Sequence, residues 1–398
     1  MGPPTLDDVS VEGATVGVRV DINSPLDESG RLGDDARLRA HVGTLSELLD
    51  RGAKVAVLAH QGRPGGDEFA PLGDHAERLD DMLDHPVSYT DATFSADARG
   101  AIEDLSPGEA ILLENTRFYS EEYMELPSEE AARTFLVERL APVLDAFVND
   151  AFAAAHRSQP SLVGFPRHLP SYAGRVMERE LDVLGAIEET PRPRVYALGG
   201  AKIADALDVA TSVLERDLAD AVLTSGMAGN AFLAADGVDV GRATVDPILD
   251  RDATAIEDAG ELLEAYRGKF HLPSDVAVER GGERIELSVS ELPAGEPALD
   301  VGSATVAAYA DVLDDAGTVI LNGPAGVYED DRFAAGTRGI YGAAAETDTS
   351  IVGGGDTAAA LRRLGIEGFD HVSTGGGAAL QMLTGGELPA VEVLRRCA

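Results

Sequence analysis

Lysine is almost absent. Lys54, Lys202 and Lys269 are the only three in 398 residues, so arginine supplies nearly all of the 32 basic side chains. Tryptophan is missing, aromatic residues amount to 5%, and the one cysteine is Cys397. A lone thiol closes no intramolecular disulfide and excludes a cysteine-built zinc cluster. No apolar run approaches the roughly 18 residues of a membrane-spanning helix, and the N-terminal MGPPTLDDVSVEG lacks the basic and apolar stretches of a signal peptide. The expectation is a cytoplasmic chain that neither spans nor binds a membrane.

Acidic residues fill the space the lysines leave. Seventy Asp and Glu against 32 Lys and Arg give a formal net charge of -38, so general binding to a phosphate backbone meets strong repulsion and no nucleic-acid partner is expected. Self-repulsion on this scale opposes the compact state in dilute buffer. At about 1 M salt the Debye length falls to about 3 Å, so the composition points to a protein kept in a salt-rich cytoplasm. A hydrophobic content of 44% and a mean hydropathy of -0.05 exclude a disordered chain, and the length favours two domains. No exposed apolar stripe calls for more than a monomer.

Short apolar or β-branched runs alternate with longer segments of helical period, the pattern of parallel sheets with crossover helices. Strands are expected at 15–20, 54–59, 110–114 and 146–149, then at 194–198, 221–224, 318–322, 350–352 and 371–373. Pro160, Pro166 and Pro170 precede a proline-free helical stretch at 173–189, which marks a boundary between domains 1–172 and 173–384. Residues 268–295, with the alternating ERIELSV, read as a small antiparallel excursion.

Several strands of the second half run through glycines into a helix: VYALGGAK, AVLTSGMAG, SIVGGGDT and HVSTGGG. One such turn is commonly a close-packed connection. Several at the carboxyl ends of one sheet point to helix N-termini gathered around phosphate. No GxxxxGK[ST] occurs, and no GxGxxG opens either half, which argues against the P-loop and dinucleotide classes. Lys202 is either a surface lysine or a compact positive charge for phosphate. Asp356 is either a helix cap or a ligand for phosphate-bound Mg²⁺. In the first half Arg37, His60, Arg63, Arg117, His156 and Arg157 fall near strand ends. They either pair with local acids or form a basic pocket for a small polyanion.

VRVDINSPL, AHQGRP, LLENTRFYSEE, VNDAFAAAHR, LGGAKIADAL, LNGPAGVYED, IVGGGDTAAAL and HVSTGGGAAL follow the order of the signature segments of phosphoglycerate kinases, and the chain resembles that family, in the form of a halophilic archaeal member, over nearly its whole length. The resemblance implies two doubly wound α/β domains joined by a hinge helix, with the C-terminal segment 385–398 completing the first. It implies transfer of a phosphoryl group between ATP and the carboxylate of 3-phosphoglycerate, giving ADP and 1,3-bisphosphoglycerate. Asp21, Ile22, Asn23, Arg37, His60, Gln61, Gly62, Arg63, Arg117 and Arg157 would hold 3-phosphoglycerate. Gly200, Ala201, Lys202, Asn322, Pro324, Glu329, Gly353, Gly354, Gly355, Asp356 and Thr357 would hold the nucleotide, with Asp356 on Mg²⁺ and Ser373 to Gly377 as a second anion-binding helix start. Arg37, Lys202, Gly354 and Gly376 would serve the transfer itself. The chain departs from the family at Ala206, where a second lysine is common, at Gln159 and at Leu321. The loss of charge at Ala206 leaves a non-catalytic phosphometabolite-binding protein as the alternative.

Overall fold

Residues that alternate along a strand of the first half enter two different cores. Val55 and Val57 pack with Val16, Val18, Leu38 and Leu45, whereas Ala56 and Leu58 pack with Ile111, Leu113, Phe147 and Phe165. Strands buried on both sides belong to a parallel sheet covered on both faces. The computed structural model, which describes residues 2–397, shows that sheet. Its strands are Thr15–Arg19 (β1), Lys54–Leu58 (β2), Val87–Thr90 (β3), Ala110–Leu113 (β4), Ala146–Asn149 (β5) and Ser171–Ala173 (β6), in the order β3-β4-β2-β1-β5-β6. The chain leaves β1 toward β2 and later crosses to β5 on the other flank. The carboxyl ends of β1 and β5 are therefore a topological switch point, where open α/β sheets take their ligands.

The second half repeats the plan around another sheet. Arg194–Leu198 (β7), Ala221–Thr224 (β8) and Phe270–His271 (β9) come first. Asp275–Arg280 (β10), Glu283–Ser288 (β11) and Ala298–Val301 (β12) then form a separate antiparallel sheet ordered β11-β10-β12, the excursion expected near 268–295. Arg280 pairs with Glu283 across Gly281 and Gly282, whose φ values of 64° and 87° make the two-residue turn that glycine permits. Thr318–Asn322 (β13), Ser350–Gly353 (β14) and His371–Val372 (β15) complete the parallel sheet, ordered β15-β14-β13-β7-β8-β9. Its switch point lies between β7 and β13.

The chain divides into Met1–Val183 with Glu387–Ala398, and Leu184–Gly386. The division falls inside helix Arg175–Gly185, later than the boundary at 172/173 read from the sequence. Glu387 and the residues after it group with the first unit: Leu388, Ala390, Val391 and Leu394 are buried, and the Ala390 N–H donates to the Ala155 carbonyl at 3.2 Å. Among the described residues no helix is long and apolar enough to cross a membrane.

Candidate active site

In the first unit the expected residues gather at the switch point. Asp21 and Asn23 follow β1, Arg37 stands at the start of helix Ala36–Asp50, His60 to Arg63 follow β2, Arg117 follows β4, and His156 and Arg157 follow β5. Arg37 Nη1 donates to Asp21 Oδ2 at 2.8 Å. Burial works against the charge on Asp21, but the Arg37 and Arg19 guanidiniums facing it hold its carboxyl well below the usual carboxylate range. Asn23 Oδ1 accepts the Gly62 N–H at 2.8 Å and so ties the β1 and β2 loops together. Gly62 has φ +66°, and a Cβ there would lie 2.3 Å from the Glu68 carbonyl oxygen, so the loop requires glycine. Ile22 and Gln61 are buried, with the Gln61 amide engaged by the backbones of Ser24 and Glu68.

The remaining arginines are not neutralised by the acids around them. Among the described residues Arg63, Arg117 and Arg157 have no carboxylate within ion-pair distance, in a chain with 70 acidic residues. Arg117 is buried, donates from Nη1 to the Gly62 carbonyl at 2.7 Å and lies 5.7 Å from the centroid of the Tyr123 ring. Burial, then Arg157 and Arg19, pull its pKa down to about 10, which leaves it charged at pH 7. Arg157 Nε donates to His156 Nε2 at 3.3 Å. Arg37 pairs with a local acid, whereas Arg63, Arg117 and Arg157 keep their charge without one.

Sequence reasoning missed Arg19, which lies beneath this pocket. It ends β1 and has no exposed side-chain surface. Its guanidinium reaches Ser161 Oγ at 2.8 Å, the Val20 carbonyl, His60 Nδ1 at 2.8 Å and the Glu122 carboxylate at 4.0 Å. Because arginine only donates, His60 Nδ1 accepts and the ring proton sits on Nε2. Burial and then the Arg19 charge push the His60 pKa well below its ordinary value, so the ring is neutral and offers one N–H. An arginine inside VRVD reads as a strand residue, and nothing in its spacing marks it as a strut.

In the second unit three helix N-termini border one cavity. Helix Ile203–Glu215 starts after Lys202, helix Gly355–Leu364 after Gly354, and helix Gly376–Leu383 after Gly375. Gly200, Ala201, Lys202, Ala206, Asn322, Pro324, Gly354, Gly355, Asp356, Thr357, Gly376 and Gly377 line this space of ≈ 410 Å³. Free N–H groups and helix dipoles at three such ends, with Lys202 between them, make a cradle for polyphosphate. The β7 and β13 loops are stitched together: the Gly200 N–H donates to the Pro324 carbonyl at 2.8 Å, and the Gly323 N–H to Thr357 Oγ1 at 2.8 Å. Thr357 is buried and its hydroxyl oxygen accepts this bond, which leaves the hydroxyl proton to donate. Gly354, at φ +89°, leaves no room for a Cβ, which would lie 2.7 Å from Asn322 Oδ1.

A second, ≈ 550 Å³ cavity shares Gly200, Ala201, Pro324 and Asp356 and extends past Glu329 to the apolar Met227, Ala298, Leu299 and Val327, walls that suit a flat base. Ala298 and Leu299 are the first two residues of β12, a segment the sequence did not assign. Gly353 is the last residue of β14, and Ser373 is buried with its hydroxyl accepting from the Gly375 N–H at 3.2 Å. Asp356 makes no capping hydrogen bond; its Oδ2 lies 2.9 Å from Lys202 Nζ, and both side chains are more than half exposed. The cap reading is therefore not realised.

Comparison with known proteins agrees with the geometry. The model of the family described as phosphoglycerate kinase matches residues 6–386. The chain is 64% identical to the phosphoglycerate kinase of Natronomonas pharaonis, over 98% of this chain and 99% of that one, and 65% identical to that of Halobacterium salinarum with the same coverage. The crystal structure of phosphoglycerate kinase from Pyrococcus horikoshii superposes with a TM-score of 0.93 at 39% identity, covering 99% of each chain. The structure of the Coxiella burnetii enzyme gives 0.81 at 31% identity, again over 99% of each. Two parallel α/β sheets, a basic pocket after one and a phosphate cradle after the other thus meet an end-to-end sequence match: the chain belongs to the phosphoglycerate kinase family.

Proposed function

We propose that this chain catalyses reversible transfer of the γ-phosphoryl group of ATP to the carboxylate of 3-phosphoglycerate, giving ADP and 1,3-bisphosphoglycerate. The observation that carries the assignment is the cradle of three helix N-termini around Lys202, a site built for a phosphate chain. Met1–Val183 with Glu387–Ala398 is the acceptor domain, Leu184–Gly386 is the nucleotide domain, and helix Arg175–Gly185 connects them. A carboxylic acid with a pKa near about 4 is already ionised at pH 7, so the attacking oxygen needs no base. The neutral His60 is a hydrogen-bond donor to the acceptor, with Arg63, Arg117 and Arg157 on its phosphate. Arg37 and Lys202, with the N–H groups at Gly354 and Gly376, face the charge that builds on the transferring phosphoryl. Glu329 takes the ribose hydroxyls.

The nucleotide enters as its Mg²⁺ complex. Among the described residues no group of three His, Cys, Asp or Glu side chains is spaced to enclose a metal. One exposed carboxylate at the cradle fits the case in which phosphate oxygens and water complete the shell, and Asp356 supplies it. When bound, the ion neutralises phosphate charge. Asp356→Asn should raise the Mg²⁺ concentration for half-maximal rate by about tenfold and leave the thermal midpoint within about 2 °C, since the side chain neither caps nor packs. An unchanged Mg²⁺ profile in a kinetic titration would return Asp356 to the helix surface.

The protein is read as a monomer of a salt-rich cytoplasm; its charge of -38 and its three lysines support the salt adaptation. The thermal midpoint should rise by about 10 °C or more between 0.1 M and about 2 M KCl, as a few kcal/mol of relieved repulsion would produce. A flat or falling midpoint in scanning calorimetry would reject the salt adaptation. Activity itself is tested by coupled ATP consumption with 3-phosphoglycerate at about 2 M KCl. Turnover that needs both substrates is the expected result; none under any salt condition would overturn the assignment.

A further inference from the structure

We infer that His41, held by Asp150, is a positioning residue for the acceptor site. The inference rests on the reading of Asp21 and Arg37 given above. His41 sits one turn after Arg37 on helix Ala36–Asp50 and is buried. Its Nδ1 lies 2.6 Å from Asp150 Oδ2, and its Nε2 lies 3.1 Å from Asp21 N and 3.2 Å from Asp21 O. The Asp150 carboxylate only accepts, so Nδ1 carries a proton toward it, and in the neutral ring the Nε2 lone pair receives the Asp21 N–H. One imidazole therefore fixes the backbone of the residue whose carboxylate holds Arg37.

The other end of this link is fixed as firmly. Asp150 Oδ1 accepts the Val176 N–H at 2.9 Å and the Met177 N–H at 3.4 Å, the free donors at the start of helix Arg175–Gly185. Gly174 lies so close that a Cβ there would be 2.2 Å from the same oxygen. Farther along helix Ala36–Asp50, Thr44 Oγ1 accepts the Arg175 N–H at 3.0 Å and Glu47 accepts from the Arg175 guanidinium at 2.8 Å. Residues 37, 41, 44 and 47 follow the spacing of one helix face. That face joins the Asp21–Arg37 pair to the first turn of the helix leading into the second unit. An apolar pair of the same volume would pack as well as a buried His–Asp pair, and what the polar pair adds is a set orientation of the Asp21 peptide.

Two variants separate the ends of the imidazole. In His41→Asn the amide nitrogen falls near the Nδ1 position and keeps a donor for Asp150, while nothing remains to hold Asp21. In His41→Gln the terminal amide reaches the Nε2 position. His41→Asn should raise KM for 3-phosphoglycerate about tenfold and lower kcat about tenfold, with KM for MgATP within about twofold, and His41→Gln should recover most of the 3-phosphoglycerate KM. Titration calorimetry with 3-phosphoglycerate alone should show the same order of affinities without reliance on turnover. A His41→Asn protein that binds and turns over 3-phosphoglycerate normally and shows only a lower thermal midpoint would overturn the inference and make His41 a packing residue. A wild-type protein that neither binds nor turns over 3-phosphoglycerate would instead overturn the functional reading and this inference with it.

Discussion

Lys202→Ala is expected to lower kcat by about 10² to 10⁵ while moving KM for either substrate far less, the mark of an interaction made mainly in the transition state. The expectation rests on the proposed placement of Lys202 beside the transferring phosphoryl group. Lys202 stands at the mouth of the three-helix cradle, and its side chain, 66% exposed, is paired with Asp356 at 2.9 Å. An exposed ion pair of this kind carries little stability, so the loss reports chemistry rather than unfolding. Arg37→Ala should behave alike, because Arg37 is held at 2.8 Å by the buried Asp21 and is aimed by that bond before substrate arrives. Steady-state kinetics of both variants in molar KCl check the expectation. A near-normal kcat with a raised KM would move either residue from the transition state to ground-state binding.

The second large effect is on stability. Arg19→Met should cost about 3–5 kcal/mol, because it leaves Glu122 buried without its cation. Ser161 N, at 3.0 Å, and Ser161 Oγ still serve Glu122, but neither brings charge. His60 Nδ1 loses its donor as well, so the acceptor pocket loosens with the fold. Burial already raises the Glu122 pKa, and without Arg19 it rises further. A carboxyl whose pKa is raised in the folded state contributes stability below its unfolded value and loses it as pH climbs through the folded one. The deficit should therefore be largest at neutral pH and shrink toward pH 5. Adding Glu122→Gln to Arg19→Met should recover most of it. Urea unfolding at fixed KCl, at both pH values, measures this; a single variant as stable as wild type would show that the Arg19–Glu122 pair has no structural weight.

The main strands were legible because their residues are apolar on both faces and end in glycine turns, as VYALGG and SIVGGG do. β3, β6 and β9 were not. VSYT and SYA are short and lie at or next to the sheet margin, where partial exposure mixes polar with apolar residues, and FH has two residues. β12 was hidden in PALDV because Pro297 and Asp300 break the alternation. Asp300 is buried and accepts from Arg284 Nη1 and the Gly336 N–H, so its polarity serves the interior. The same division runs through the site. Residues proposed to face a ligand, such as Arg37, Arg63, Lys202 and Asp356, stood out as charges beside turns. Arg19 meets Glu122, and His41 meets Asp150 across 109 residues, only through tertiary packing, and no local spacing connects them. Helix Arg175–Gly185 was visible as a period, but the point where its contacts pass from one unit to the other is set by packing.

The γ-phosphoryl group is expected to pass to a carboxylate without a general base, driven by placed positive charge. Phosphorus NMR of ATP and 3-phosphoglycerate with catalytic protein in about 2 M KCl, with a trap that removes ADP, tests this directly. An acyl-phosphate resonance should grow as the γ-phosphate signal of ATP falls, with no growth without 3-phosphoglycerate. Release of inorganic phosphate with no acyl phosphate, or a silent spectrum under conditions where the protein is folded, would contradict it.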